Sequence, residues 1–303
     1  MLKNAIVYRL PDGLRLKDDQ VVENLAKRPE SHQLTSIGFA PHPVLKVIAC
    51  AIGDKRDSTV LTILKWEKKI DSKAINAEVS SLAKALNRKV EKAELRAIRE
   101  NVIAKVLPTI LPSPKYIQFY YRCFDNVLII DSASEKEAED VISFIRKVIG
   151  SLKCIPIAQN VDPIPLPDMT YRLNHSMVGG HRDILNGKFQ IGGKLKLSEL
   201  KQSITYKDIE FTDCGVTEEI QEWIDGGFSV DEIQLILPNQ CSFIFKDHHI
   251  LKSIKYDGNL LSETDPENDA IADCKAEMFL KLSAIVEVYT ILNSEFNYRH
   301  GNS

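Results

Sequence analysis

No glycine occurs between Gly53 and Gly150 of this 303-residue chain. Over that stretch only asparagine and aspartate can take positive φ without large strain, and neither matches the freedom of glycine. Phosphate-cradling loops of the G-x-G-x-x-G and G-x-x-x-x-G-K-[ST] kinds therefore cannot form there. The pairs Gly179-Gly180, Gly192-Gly193 and Gly226-Gly227 match neither fingerprint, which argues against an ATPase or a nicotinamide enzyme of the common types. What the glycine-free stretch can form is regular structure, punctuated by proline and asparagine.

Its periodicity changes along the way. Val44 to Ile52 and Thr59 to Trp66 read as strands around the turn at Gly53-Asp54. From Ser72 to Leu107 the apolar residues Ile75, Val79, Leu82, Leu86, Val90, Leu95, Ile98, Val102 and Val106 recur three to five apart, until Pro108, Pro112 and Pro114 stop the pattern. This predicts one long helix, or two broken near Asn87. Tyr116 to Ile130 alternates aromatic and polar residues and turns at Asp125-Asn126, a second strand pair. Ser134 and Glu137 form a capping box for a helix ending at Gly150.

The remainder is less regular. Residues 4 to 10 suggest a strand, and Asp18-Asp19 a short helix reaching Leu25 to Lys27. Four prolines from 156 to 167 and five glycines from 179 to 193 suggest a connector or extended arm. Beyond it the pattern predicts a strand at 204–211 and a helix at 217–224. Strands at 233–237, 242–245 and 251–256 follow, with an amphipathic helix from Cys274 to about Asn293. The class is α+β, divided as an N-terminal region 1–157, a connector 158–198 and a C-terminal region 199–303.

Six cysteines without a C-x-x-C pair fit a reducing compartment. No apolar run of transmembrane length or secretory leader is evident, so a cytoplasmic location is expected. No G-x-S-x-G elbow or H-E-x-x-H helix is present. His248-His249 would point to opposite sides of a strand or turn and reads as a solvated hairpin tip. No catalytic residue, metal ligand or cofactor is predicted.

Charge is the remaining signal. The chain carries 39 Lys and Arg against 42 Asp and Glu, net −3, which excludes binding to nucleic acid by bulk charge. Residues 61–122, however, hold 13 bases and six acids, a local +7 that leaves −10 for the rest. Lys84, Arg88, Lys92, Arg96 and Arg99 recur at helical spacing and could line one stripe, as a sequence-independent phosphate surface requires. The same bases could equally pair with Glu91, Glu94 and Glu100 on a solvated helix.

Several segments carry a resemblance. Met1-Leu2-Lys3-Asn4 with Val7-Tyr8-Arg9-Leu10, Val106-Leu107-Pro108, Val127 to Ser134 with Ala138-Glu139-Asp140, and Gly150-Ser151-Leu152 stand in an order and spacing that resemble the bacterial RdgC family of recombination-associated proteins. Phe189-Gln190, Thr217 to Ile220 and Phe243 to Phe245 continue it. The resemblance implies a horseshoe-shaped protomer of small antiparallel sheets and long helices. Two protomers would close a ring around duplex DNA and limit access of the RecA recombinase. Arg88, Lys89, Lys92 and Arg99 match family basic positions on the long helix, whereas Thr109 and Leu111 stand where family members carry Arg and Phe.

The expectation is thus a non-enzymatic, nucleoid-associated homodimer that modulates RecA-dependent recombination, with no membrane partner. It would bind DNA through Lys84, Arg88, Lys89, Lys92, Arg96, Arg99, Lys115 and Arg122, and dimerise near Ile110, Leu111 and Tyr116. Preference between double and single strands is left open. The alternatives are an inhibitor that contacts the recombinase directly and a metal-dependent nuclease.

Overall fold

A computed structural model describes residues 2–53, 57–157, 165–178, 182–199, 202–209, 214–246, 249–262 and 269–296. His181, His248, residues 210–213 and most of the acidic stretch from Glu263 lie outside them.

In chain order the elements are β1 (Ile6–Arg9), α1 (Asp18–Glu23), β2 (Thr35–Phe39), β3 (Ala49–Ile52), β4 (Ser58–Glu67), α2 (Ser72–Ala85) and α3 (Lys92–Val106). A 3-10 turn (Leu107–Thr109) precedes β5 (Ser113–Arg122), β6 (Val127–Ile130), α4 (Glu135–Ile149), β7 (Ile155–Pro156), α5 (Pro165–Val178), β8 (Asp183–Ile184) and β9 (Phe189–Glu199). Then come β10 (Gln202–Tyr206), α6 (Cys214–Asp225), β11 (Ser229–Leu237), β12 (Cys241–Lys246), β13 (Ile250–Tyr256), α7 (Gly258–Ser262) and α8 (Ala270–Phe296). The strands form two antiparallel sheets, so the class is α+β as the sequence predicts. The chain packs as two compact units, one of residues 1–15, 42–61 and 118–303, the other of residues 16–41 and 62–117.

The larger unit holds the main core. β1 lies between β6 and β7, β6 pairs in turn with the second half of β5, and β3 pairs with the start of β4. The other sheet orders β10-β9-β11-β12-β13. Alternation puts Cys241, Phe243 and Phe245 of β12 on the buried face. Tyr120, Phe189, Phe243, Phe245, Leu282, Ile285 and Phe296 belong to one buried cluster. Burial of this extent is the main stabilising term for the unit. The Asp131 carboxylate takes the backbone N–H of Lys3 at 3.0 Å and of Asn4 at 2.9 Å, tying down the chain's start. Burial nevertheless pushes its pKa above the usual carboxylate value.

In the smaller unit β2 pairs with the end of β4, and Leu25 bridges Phe39. Gly38 permits that approach, since a Cβ there would lie 2.5 Å from the Ala26 backbone. Lys68 is 5% exposed; its ammonium donates to the carbonyls of Glu30 (3.1 Å), Ser31 (2.8 Å) and Leu107 (3.1 Å).

The helical series is two helices, the second of the two expected forms, broken where Asn87 takes φ +48°. Other expectations change. Strand structure in the 44–52 run is confined to β3, because Lys46 takes φ +58° and His42 Nδ1 accepts the N–H groups of Val44 (3.2 Å) and Leu45 (3.1 Å), closing a turn. Ser134 caps α4, but its own N–H donates to Ser132 Oγ, which in turn donates to Glu137 at 2.7 Å. Much of the connector is regular: α5, β8 and most of β9 fall inside 158–198, and Met169 and Leu173 are fully buried. The glycine-rich run is compatible with a strand because Gly192 faces Gln234, where a Cβ would come within 2.6 Å of that side chain. His249 is no solvated tip: it is 3% exposed, edge-on to Phe245 and Phe296.

Candidate nucleic-acid interface

The basic segment becomes a helical hairpin. Asp71 starts α2 by accepting the N–H groups of Lys73 (2.8 Å) and Ala74 (3.3 Å). Leu86 continues the turn before Asn87 reverses the chain, and α3 begins after Glu91. α3 is rich in strong helix formers, Lys-Ala-Glu-Leu-Arg-Ala at its start, so it holds its shape with little burial. Only Ile75 of α2 and Val102 of α3 are fully buried.

The predicted bases divide into three groups. Lys84, Lys89 and Lys92 are exposed and have no hydrogen-bond or ion-pair partner among the described residues. They lie at the end of α2, in the reversal and in the first turn of α3. Unsatisfied N–H groups at a helix start already favour anions, so Lys92 reinforces a positive field. Arg88, Arg96 and Arg99 are engaged. Arg88 is paired with Glu94 through both terminal nitrogens, Arg96 with Glu100 at 3.2 Å, and Arg99 with the Asn76 side chain. The Arg96 pair is exposed and single-contact, and such pairs are worth little, so a phosphate can compete for it.

The single stripe expected from spacing is therefore split by the break at Asn87, and only Lys92, Arg96 and Arg99 share one helical face. Lys115 is exposed on β5 in the same unit. Arg122 belongs to the larger unit, is 17% exposed at its side chain and pairs with Asp125 at 3.3 Å. Of the residues predicted at the tip, Ile110 is half-buried, whereas Leu111 is 87% exposed and Tyr116 48%. Sequence reasoning missed the buried role of Lys68, counted there among the surface bases; nothing in its local charge pattern separates it from Lys69.

Among the described residues, no group of three or more His, Cys, Asp or Glu side chains is placed to hold a metal ion, and no helix is long and apolar enough to cross a membrane.

The family model described as "Putative exonuclease, RdgC" matches residues 1–298. The chain belongs to the RdgC family. Its relatives include the recombination-associated protein RdgC of Actinobacillus succinogenes, 25% identical over 272 residues that cover 87% of this chain and 85% of that protein. The RdgC of Pseudoalteromonas atlantica is 23% identical over 97% of each chain. That of Pseudomonas aeruginosa strain LESB58 is 23% identical over 94% of this chain and 93% of its own. RdgC membership thus spans both units, including the α2–α3 hairpin.

Proposed function

We propose that this RdgC-family chain is a non-enzymatic, nucleoid-associated DNA-binding protein. It acts as a homodimeric ring around duplex DNA, built from two horseshoe-shaped protomers, and thereby modulates RecA-dependent recombination. The observation that carries the reading is the hairpin of α2 and α3. It presents Lys84, Lys89 and Lys92 unpaired, with Arg88, Arg96 and Arg99 in surface contacts, inside a segment of net +7 in a chain of net −3. Phosphates are the ligand such a surface selects, because each contact releases condensed counterions and none reads a base. Lys115 extends the surface, and exposed Leu111 and Tyr116 with Ile110 supply an apolar dimer contact.

The test is anisotropy of labelled duplexes of unrelated sequence at ~50 and ~200 mM salt, where several phosphate contacts imply a loss of orders of magnitude in affinity. A steep loss shared by all sequences is expected; absence of binding at the lower salt overturns the reading. Ring closure is tested by salt-resistant retention on covalently closed circles but not on linear duplex, and equal retention on both defeats it.

The family description favours a second reading, an exonuclease. Two-metal phosphodiester chemistry needs carboxylates that converge on the ions, an arrangement absent among the described residues. End-labelled DNA incubated with Mg²⁺ or Mn²⁺ decides: stepwise loss of nucleotides establishes the exonuclease and removes the non-enzymatic proposal.

A further inference from the structure

The β8–β9 hairpin of the larger unit turns through residues 185–188, closed by the Lys188 N–H donating to the Leu185 carbonyl at 3.0 Å. Its central pair, Asn186-Gly187, takes φ +56° and +73°. Those are the positive values that a type I′ turn demands and that Asn-Gly supplies most readily. Leu185, just before, is also at positive φ, +54°, and belongs to the buried core cluster. The base of the turn is thus anchored while Asn186 and Gly187 are exposed. Asn-Gly occurs once in the chain.

The asparagine of this turn reaches another element. Asn186 Nδ2 donates to Glu295 Oε1 of α8 at 2.6 Å. The other oxygen, Glu295 Oε2, lies 3.3 Å from the Arg172 guanidinium of α5, which also pairs with Asp168. One hydrogen bond therefore ties the turn to α8, through a carboxylate whose side chain is only 10% exposed and which shares one base with a second acid. The peptide that follows Asn186 is unprotected. The Gly187 N–H has no hydrogen-bond partner among the described residues, and a Cβ built at Gly187 would meet nothing within 4 Å.

We propose that Asn186 is a site of spontaneous deamidation, restrained by Glu295, whose conversion irreversibly releases the β8–β9 turn from α8. The Gly187 nitrogen attacks Asn186 Cγ. The N–Cγ bond forms, the Cγ–Nδ2 bond breaks, and ammonia leaves with the proton that Gly187 gives up. Solvent water then opens the resulting succinimide to aspartate or to an isoaspartyl link. Glycine hinders this ring closure least, having no Cβ. The leaving group is the same Nδ2 that Glu295 holds, so the amide must give up that hydrogen bond to react. Neither product can remake it. A carboxylate at 186 has no hydrogen to donate and adds a third acid to Asp168 and Glu295 against the one Arg172. The isoaspartyl link lengthens the backbone of the turn by a methylene. The site draws nothing from the α2–α3 hairpin, so it stands or falls separately from DNA binding.

The test is incubation of the full chain in mildly alkaline buffer for days, read by peptide mass mapping and by enzymatic methylation of isoaspartate. Asn186 should convert faster than any other asparagine of the described residues. Glu295→Gln keeps the shape but exchanges a charge-assisted hydrogen bond for a weaker neutral one, and should speed conversion at Asn186 at least ~2-fold without touching other sites. Asn186→Asp, the product made directly, should lower the melting temperature. Glu295→Gln placed in the same chain should recover part of that loss, because its amide can donate to the new carboxylate. Asn186 remaining intact while other described asparagines convert overturns the proposal. A rate that Glu295→Gln leaves unchanged or slows does the same, since Glu295 would then be a bystander or a base in the reaction. So does an Asn186→Asp chain that melts with the parent, or whose loss Glu295→Gln does not recover, because the product would then not act through α8.

Discussion

α3 and α8 are both long helices, yet they are held by different forces. α8 buries ten of its 27 residues, including Leu282, Ile285, Val288 and Phe296, and even its Lys281 is largely covered, paired with Glu277 and set 5.3 Å over the Tyr256 ring. α3 fully buries only Val102 among 15 residues. It relies on helix-forming composition and on surface pairs such as Arg96–Glu100. A helix that does not depend on burial leaves its charged side chains for a ligand, whereas α8 commits a full face of ten residues to the core. The contrast separates the part of the chain that makes the fold from the part that we propose meets DNA.

The strongest way to break this contrast is charge reversal. Lys84→Glu, Lys89→Glu and Lys92→Glu together should lower duplex affinity at ~50 mM salt by ~10²-fold or more, and make the salt dependence shallower by about three ion equivalents. Circular dichroism should be unchanged, since all three side chains are exposed. Affinity within twofold of the parent would remove these lysines from the interface. Arg122→Glu alone should lower the affinity less than the triple reversal, since Arg122 is already paired with Asp125.

Next in size is a matched truncation. Leu282→Ala in α8, where the side chain is 2% exposed, should cost about 2–5 kcal/mol in urea denaturation. Leu86→Ala at the end of α2, where it is 42% exposed, should cost under about 1 kcal/mol. A large cost for Leu86→Ala that depends on protein concentration would show that a second copy covers the hairpin. Lys68→Met falls between the two. It leaves the carbonyls of Glu30, Ser31 and Leu107 without their shared donor, and about 1–3 kcal/mol should be lost.

The same contrast explains what could be read in advance. Strands and helices of the larger unit follow alternation and periodicity because burial enforces them, as along β12, where buried and half-buried residues alternate. The apolar series from Ile75 to Val106 gives the helices and their break correctly, but not their environment, since Leu82, Leu86 and Val106 stay 37–42% exposed. Spacing reports which face a side chain occupies, not whether anything packs on it. The basic cluster was legible as composition. Its division into unpaired lysines and paired arginines was not, because Glu94 and Asn76 are brought to Arg88 and Arg99 by the fold of the hairpin. That Arg122 of β5, Val127 of β6 and Arg9 of β1 stand in one row depends on strand register and is invisible along the chain.

The smallest effect concerns His42, 2% exposed at the start of a loop that its ring organises. Because Nδ1 accepts from Val44 and Leu45, the neutral ring carries its proton on Nε2. Nε2 lies 2.7 Å from the Gln118 side-chain amide, which also meets the Tyr120 hydroxyl at 3.0 Å. A donor on Nε2 assigns the Gln118 oxygen to the ring side, so that its NH₂ group serves Tyr120. Protonation of Nδ1 would put a hydrogen where two backbone N–H groups already point. Burial, assisted by the N-terminus and Lys46, accordingly holds the His42 pKa below the ordinary value of about 6.5. The unfolded chain then binds the proton first as pH falls. The contribution to stability is complete above that ordinary value and is lost on acidification towards the lower folded pKa. Urea midpoints measured from pH 7.5 to 5.5 should fall more for the parent than for His42→Gln, whose amide cannot titrate. Parallel curves for the two would show that the ring accepts its second proton without disturbing the loop.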